Sequence, residues 1–457
     1  MAHGQDRQRV SGLSLDLYHL DAAYVSWRSG QNGLATFDIY TRTAPFAGAY
    51  MVTAGLQPAL DFVRDLAFSD EDIAYLQAVK HYDAGFLDEL RGYRFAGDID
   101  AIAEGVLSFP DEPLLRVTAP FRHALLLESG LLRAIGISTL IATKAARLVD
   151  AAAGRPIADF GYRRAQDPYL ATRSAIIGGC ASTSYVAGAA LFDVPTAGTI
   201  PHALVQSFST EADAFRAVAA TLPSYSLLLD TYDVHQAIDT AVEVALEARA
   251  RYGHQLAAVR LDSGDIVADS KHVRAVLDRA GLRETRVLAS DNLNEFRIAD
   301  LLASGAPLDG FGVGGNLDVG LGTVQSGTVG GTLGAVYKLV WYEGDGDPAR
   351  IKLAGDKSTW PGRKQVVRVG AFTEDVIQLE QEPLPAGGVA LLHPVMTAGE
   401  PLNPEPDVMA LREVAGQELA ALPACYRQLR DAPAYPVRKS AALLALREHA
   451  AQREVRG

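Results

Sequence analysis

Residues able to do chemistry recur in this chain at the ends of short apolar runs. Tyr162, Arg163 and Arg164 follow or overlap the run IADFG (157–161), and His202 follows VPTAGT (194–199). Asp230 ends SLLLD (226–230), with Asp233 close behind, and LAAVRLD (256–262) supplies Arg260 and Asp262, with Asp265 beyond. RVLASD (286–291) brings Ser290 and Asp291, followed by Asn292, and GFGVGG (310–315) brings Gly312, Gly314 and Gly315. Arginines suit a carboxylate or phosphate, which their planar forks bind bidentately. Aspartates crowded near one point repel one another and call for a cation, sugar hydroxyls or a developing positive charge. Glycines after a strand let backbone amides approach a phosphate. Together these groups imply an anionic, phosphorylated sugar handled with Mg²⁺.

Each group taken alone has a plainer reading. Arg163 and Arg164 read as a solvated pair, His202 as a hydrogen-bonded structural histidine, and Asp230 as a helix cap. The segment DSGD (262–265) reads as a turn, since Asp, Ser and Gly all favour turns. GFGVGG lacks the spacing of a dinucleotide fingerprint, and the chain has no GxxxxGK[ST] segment, so a nucleoside triphosphate would bind without a P-loop. Six successive run ends of this composition are what outweigh the plainer readings.

The elements that must position these groups are legible in the periodicity. The apolar runs recur about every thirty residues from 155 onward, with helical stretches such as 209–220, 234–251 and 268–280 between them. Repeated β–α units of this kind imply a parallel sheet with helices outside it, and in such folds functional groups collect at the carboxyl ends of the strands. Six or seven units suggest a closed barrel, with an open doubly wound sheet as the other solution. Upstream, 13–31 and 55–67 have helical spacing, 34–42 alternates like a strand, and SDED opens a helix over 69–79 through capping and the helix dipole. Segment 86–117 contains the strand-like pieces YRF, VLSF and LLRV. Downstream, 333–342 and 351–355 read as strands, 380–388 as an exposed connection, and 406–421 and 438–450 as helices that pack back on the first region.

Bulk properties exclude several classes. The net charge is 42 minus 55, or −13, which disfavours bulk nucleic-acid or anionic-membrane binding. The two cysteines, Cys180 and Cys425, are far apart, so neither a disulfide framework nor a zinc site follows. Residues 1–10 are polar, unlike a secretory signal, and no apolar stretch reaches the roughly 18 residues a membrane helix wants. A cytoplasmic protein is the expectation.

Eight ordered segments carry a family resemblance: TFDIYTR (36–42), DFGYRRAQ (159–166), GTIPH (198–202), LLDTYD (228–233), VRLDSGDI (259–266), ASDNLNE (289–295), GVGGNL (312–317) and GAVYKLV (334–340). With LSLDLYHLDAAY (13–24) and YPVRKSAALLAL (435–446), the chain resembles the nicotinate phosphoribosyltransferases over nearly its whole length. The resemblance implies an α/β fold: an irregular TIM-like barrel over 131–335, plus an α+β domain, an open-faced sandwich, from segments 1–130 and 336–457. It also implies a homodimer with shared active sites. By resemblance, Tyr18 of a neighbouring subunit and Phe160 sandwich the pyridine ring, and Arg260 faces its substituent. Arg163, Gly314 and Gly315 lie near the 5′-phosphate, Asp262 and Asp291 near the ribose and Mg²⁺, and Ser290 among the substrate-binding residues. Asp230 stands behind the histidine or at the ribose, Arg42 and Lys338 near the pyrophosphate, and Thr183 and Ser184 in the substrate site. His202 matches a histidine phosphorylated by ATP.

The implied reaction joins nicotinate to 5-phosphoribosyl 1-pyrophosphate, with ATP hydrolysis coupled through His202. Where nicotinamide enzymes carry an aspartate that accepts from the amide, this chain has Ser184, which favours a carboxylate substrate. The chain departs from its relatives at GGCASTSY (178–185), at Asp167 after RRAQ and at HLDA (19–22). The competing readings are a nicotinamide or quinolinate phosphoribosyltransferase, a non-catalytic metabolite-binding homologue, and an unrelated phosphate-binding barrel isomerase.

Overall fold

In the computed structural model, residues 10–322, 331–344, 346–353 and 358–456 are described. Most of the 1–10 stretch, and the end of the 351–355 run, therefore lie outside the described residues; 351–353 form no strand. The chain divides into two compact units, one from residues up to Leu140 together with those from Thr332 onward, the other beginning at Ile141 and holding all six run ends.

The first unit is built on a six-stranded antiparallel sheet. Its strand order is Ala335–Tyr342, Leu34–Thr41, Leu115–Pro120, Asp98–Ile102, Leu392–Thr397 and Glu400–Pro401. The strand Asp98–Ile102 is one the apolar pattern does not announce, because acidic residues alternate with its buried Ile99 and Ala101. YRF is not a strand: a helix, Ala84–Arg91, ends just before it. The SDED signal is realised as a capping box, with the Ser69 hydroxyl accepting from the Asp72 amide and the Asp72 carboxylate accepting from the Ser69 amide. Phe37 stacks on Tyr337 at 4.6 Å in a core that spans both chain ends. A four-stranded sheet, Gly388–Ala390, Lys364–Val369, Glu374–Leu379 and Val437–Lys439, completes this unit.

The second unit is a parallel sheet with helices between its strands. The spatial order is Ser182–Thr183, Ile157–Asp159, Gly310–Val313, Arg286–Ala289, Gln255–Leu261 and Ser224–Leu228. The first strand in sequence pairs with the last, so the order is cyclic with one seam, between Ser182–Thr183 and Ser224–Leu228. Five of the six expected runs form these strands. VPTAGT does not: its proline and glycine interrupt a ladder, the sheet position goes to Ser182–Thr183, and only a bridge from Thr183 to Thr196 remains. A chamber of about 590 Å³ is lined by residues from all six strands, among them Ala158, Ser182, Ser226, Ala257, Leu288 and Gly310. Beneath the sheet, Lys144 and Arg147 both pair with Glu295, and all three side chains are buried.

Candidate active site

The carboxyl ends of the parallel strands surround a cavity of about 850 Å³. Arg260 stands at its centre, leaving the strand Gln255–Leu261. Its Nε donates to the Ser290 hydroxyl at 2.8 Å, one Nη to the Thr199 hydroxyl at 2.9 Å, and the other pairs with Asp262 at 2.5 Å. Its guanidinium carbon lies 6.0 Å from the centroid of the Phe160 ring. Ser290 also donates to Asp262. Arginine, serine and aspartate thus hold one another in fixed orientations, with the Phe160 ring beside a cationic plane.

Asp230 faces the protein rather than the cavity. Its Oδ2 accepts from the Asp262 amide at 2.9 Å and from the Ser263 hydroxyl at 2.6 Å, so it shapes the turn that presents Asp262. His202 opens the short helix His202–Gln206. Its Nδ1 lies 3.1 Å from the Thr231 hydroxyl and its Nε2 3.8 Å from Asp262, and the side chain is 39% exposed.

Asp291 and Asn292 both adopt positive φ, 92° and 50°, which is uncommon for residues with a side chain. The Asn316 amide holds that turn by donating to the carbonyls of Asn292 at 3.0 Å and Leu293 at 2.9 Å. Gly312 and Gly315 are required by close approach: a Cβ on either would lie 2.4 Å from the Phe160 ring or 2.7 Å from the Arg164 stem. Arg163 and Arg164 line the cavity, are exposed, and among the described residues pair with no carboxylate. Two unpaired guanidiniums beside a glycine turn form a place for an anion.

Phe160, Arg163, Arg260, Asp262, Ser290, Asp291, Gly314 and Gly315 therefore meet at one cavity. Thr183 does not: it is fully buried and donates to Asp159 at 2.8 Å. The Ser184 amide donates to the Asp159 carbonyl, which places Ser184 one residue beyond the short edge strand. Tyr18, Arg42 and Lys338 belong to the first unit. Tyr18 is 57% exposed, and burial with the nearby Glu128 carboxylate pushes its pKa up. Burial lowers the Lys338 pKa, against the opposing pull of Glu128. Arg42 lies over the Tyr40 ring. Sequence reasoning missed Thr199, Thr231, Ser263 and Asn316, polar residues near the run ends whose role is to orient another side chain. It left Tyr185 unexplained; that ring stacks on Tyr162 at 4.3 Å, beside the arginine pair. Among the described residues, no group of three or more His, Cys, Asp or Glu could hold a metal unaided.

Fold and site together define a protein built to hold an anionic sugar phosphate, with a carboxylate partner, at the strand ends of a parallel sheet. Residues 13–136 match the nicotinate phosphoribosyltransferase N-terminal domain and residues 156–338 the nicotinate phosphoribosyltransferase family. The chain belongs to that family. It is 40% identical to nicotinate phosphoribosyltransferase pncB2 of Mycobacterium tuberculosis, over 94% of this chain and 92% of that one. It is 39% identical to the nicotinate phosphoribosyltransferase of Bacillus subtilis, over 78% and 73% of the two chains. The crystal structure of human nicotinic acid phosphoribosyltransferase superposes with a TM-score of 0.84 at 29% identity, covering 95% of this chain and 99% of the human one.

Proposed function

We propose that the chain joins nicotinate to 5-phosphoribosyl 1-pyrophosphate, giving nicotinate mononucleotide and pyrophosphate. The observation that carries this reading is Arg260, fixed beside the Phe160 ring in a cavity that is also lined by two arginines paired with no carboxylate among the described residues and by a glycine turn. A planar pyridine carboxylate fits the first group and a phosphorylated ribose the second.

The pyridine nitrogen attacks the anomeric carbon; the new N–C bond forms as the C–O bond to pyrophosphate breaks. The sugar becomes cationic as the leaving group takes the electron pair. Asp262 and Asp291 stand where that positive charge and the ribose hydroxyls would be, and Arg163 with the Gly314–Gly315 turn holds the 5′-phosphate. Arg42 and Lys338 would receive the pyrophosphate, and Tyr18 from a second copy of the chain would cover the pyridine ring. Catalysis of this kind is mainly positioning and electrostatics.

Magnesium bound to pyrophosphate, with Asp291 and Asp262 as protein ligands, would neutralise leaving-group charge.

With Nδ1–H donating to Thr231, the Nε2 of His202 keeps its lone pair and accepts the γ-phosphoryl group of ATP, releasing ADP. Hydrolysis of that phosphohistidine couples ATP to the transfer. The reading takes the cyclic strand order as an irregular TIM-like barrel and the chain as a cytoplasmic homodimer; among the described residues, no helix is long and apolar enough to cross a membrane.

The test is to incubate the protein with phosphoribosyl pyrophosphate, Mg²⁺ and nicotinate, with and without ATP, and identify the products. Nicotinate mononucleotide and pyrophosphate are expected, with more product when ATP is present; no mononucleotide from nicotinate would overturn the reading.

A further inference from the structure

Asp318 closes the short helix Gly315–Asp318 that follows the glycine turn, and it is 3% exposed. Neither of its carboxyl oxygens has a hydrogen-bond partner among the described residues. The ionisable group that acts on it is another buried acid, Asp159, at the end of the neighbouring strand. Asp159 has donors of its own and room for one more: it accepts from the Gly161 amide at 2.9 Å on one oxygen, and from Thr172 at 3.2 Å and Thr183 at 2.8 Å on the other. Two buried carboxylates without a cation between them would repel strongly, so one must hold a proton. With three donors on Asp159, that proton belongs to Asp318, whose pKa burial and then the Asp159 charge push up to about 9.

The place of this acid matters more than its charge. A Cβ on Gly161 would lie 2.2 Å from the Asp318 carboxyl carbon, so the acid fills the side-chain space of residue 161. Gly161 separates Phe160, the ring beside Arg260, from Arg163 and Arg164. Phe160 is tied to the other loop through its amide, which donates to the Val313 carbonyl at 2.8 Å, and the Arg164 stem lies over Gly315. Of the charged side chains on the elements around Asp318, Asp159 faces it, Arg164 is exposed, and Arg173 is buried on the helix Pro168–Ile177.

We propose that Asp318 is a positioning residue: as a neutral acid sharing its proton with Asp159, it pins the Phe160–Arg164 loop to the Gly314–Gly315 turn and so sets the spacing between pyridine ring and 5′-phosphate. The inference rests on reading the cavity as the phosphoribosyl site. A neutral acid is mimicked by its amide, whose NH₂ donates to Asp159 in the same place. A cavity in its stead lets the two loops drift.

The experiment compares Asp318→Asn, Asp318→Ala and Gly161→Ala with the unsubstituted protein. The KM for each substrate, kcat, and the melting temperature at pH 8 are measured. Asp318→Asn is expected to keep both KM values within about threefold, and to melt no lower than the parent. Asp318→Ala and Gly161→Ala are expected to raise both KM values at least about tenfold, with a smaller change in kcat, because the loops bind the substrates they misplace. If Asp318→Asn is as impaired as Asp318→Ala, the acid works as an anion and the proposal fails. If Asp318→Ala matches the parent, the acid positions nothing and the proposal fails. Should the parent itself make no nicotinate mononucleotide, the functional reading falls, and the melting temperature of Asp318→Asn still decides: a value clearly below the parent's excludes a neutral acid.

Discussion

At the scale of single residues, the proposed function makes Arg260 the group on which substrate choice turns. Three of its donors are already committed to Ser290, Thr199 and Asp262, so its plane is fixed before any substrate arrives. Lysine cannot reproduce that fork. Arg260→Lys should raise the KM for nicotinate and lower kcat/KM by about 10²-fold, in line with losing a charge-assisted bidentate pair of ~3 kcal/mol; steady-state kinetics at saturating phosphoribosyl pyrophosphate would read it. For His202, the Nδ1 contact to Thr231 leaves the other nitrogen for the proposed phosphoryl transfer. His202→Ala should abolish nicotinate-stimulated ATP hydrolysis while slow, ATP-independent transfer remains; unchanged ATP hydrolysis would place the phosphate acceptor elsewhere. Charged residues at run ends were legible in the sequence because charge is conspicuous beside an apolar run. Their supports were not. Thr199, Thr231 and Asn316 are ordinary loop residues until the fold brings a guanidinium, an imidazole or a strained carbonyl within reach. Thr183 shows the opposite error, since a hydroxyl in a loop motif was expected at the substrate and instead serves the buried Asp159.

At the scale of elements, the strained turn at Asp291–Asn292 depends on Asn316, which sits on the short helix Gly315–Asp318. Asn316→Ala leaves the buried Leu293 carbonyl and the part-buried Asn292 carbonyl without their donor, at a cost of about 1–3 kcal/mol. Chemical denaturation should show that loss, and the KM for phosphoribosyl pyrophosphate should rise as Asp291 shifts. The acid pair makes a separate prediction with a definite sign. Asp318 keeps its proton in the folded protein up to about pH 9, whereas the unfolded chain releases it near the ordinary carboxyl value of about 4. Folding therefore takes up a proton across that window, and the contribution of Asp318 to stability is present below about pH 4 and is lost as pH rises toward 9. Asp318→Asn removes the titration. The variant and the parent should melt alike near pH 4, and the variant should gain steadily above it, by about 5 kcal/mol at pH 8. The strands themselves were mostly legible because five runs are apolar and flanked by breaks. VPTAGT misled because its apolar residues meet the threshold for a strand, while its proline and glycine cannot complete one. Asp98–Ile102 was hidden because two of its five residues are acids, Asp98 and Asp100, which break the apolar run around the buried Ile99 and Ala101.

At the scale of the whole molecule, the second unit holds both the cavity and a buried ionic triad, Lys144, Arg147 and Glu295. Glu295 opens the helix that follows the Asp291 turn, so the triad anchors the sheet's helical layer to the segment that carries the site. Lys144→Met strands part of the Glu295 charge in the core and should cost about 3–5 kcal/mol of stability, read by urea denaturation. Cyclic strand order could be anticipated from the spacing of β–α units, but the open seam could not, because it depends on a two-residue strand too short to leave a pattern. The net charge of −13 made a local basic cluster necessary for an anionic substrate, and the exposed Arg163 and Arg164 beside Arg260 provide one.

The central claim is that Arg260 reads a pyridine carboxylate at this cavity. The direct measurement is kcat/KM for nicotinate against nicotinamide, with phosphoribosyl pyrophosphate saturating, in the unsubstituted protein and in Arg260→Ala. The account predicts a preference for nicotinate of at least about 10²-fold, most of it lost in the variant. Equal use of the two pyridines, or a preference that survives the loss of Arg260, would contradict it.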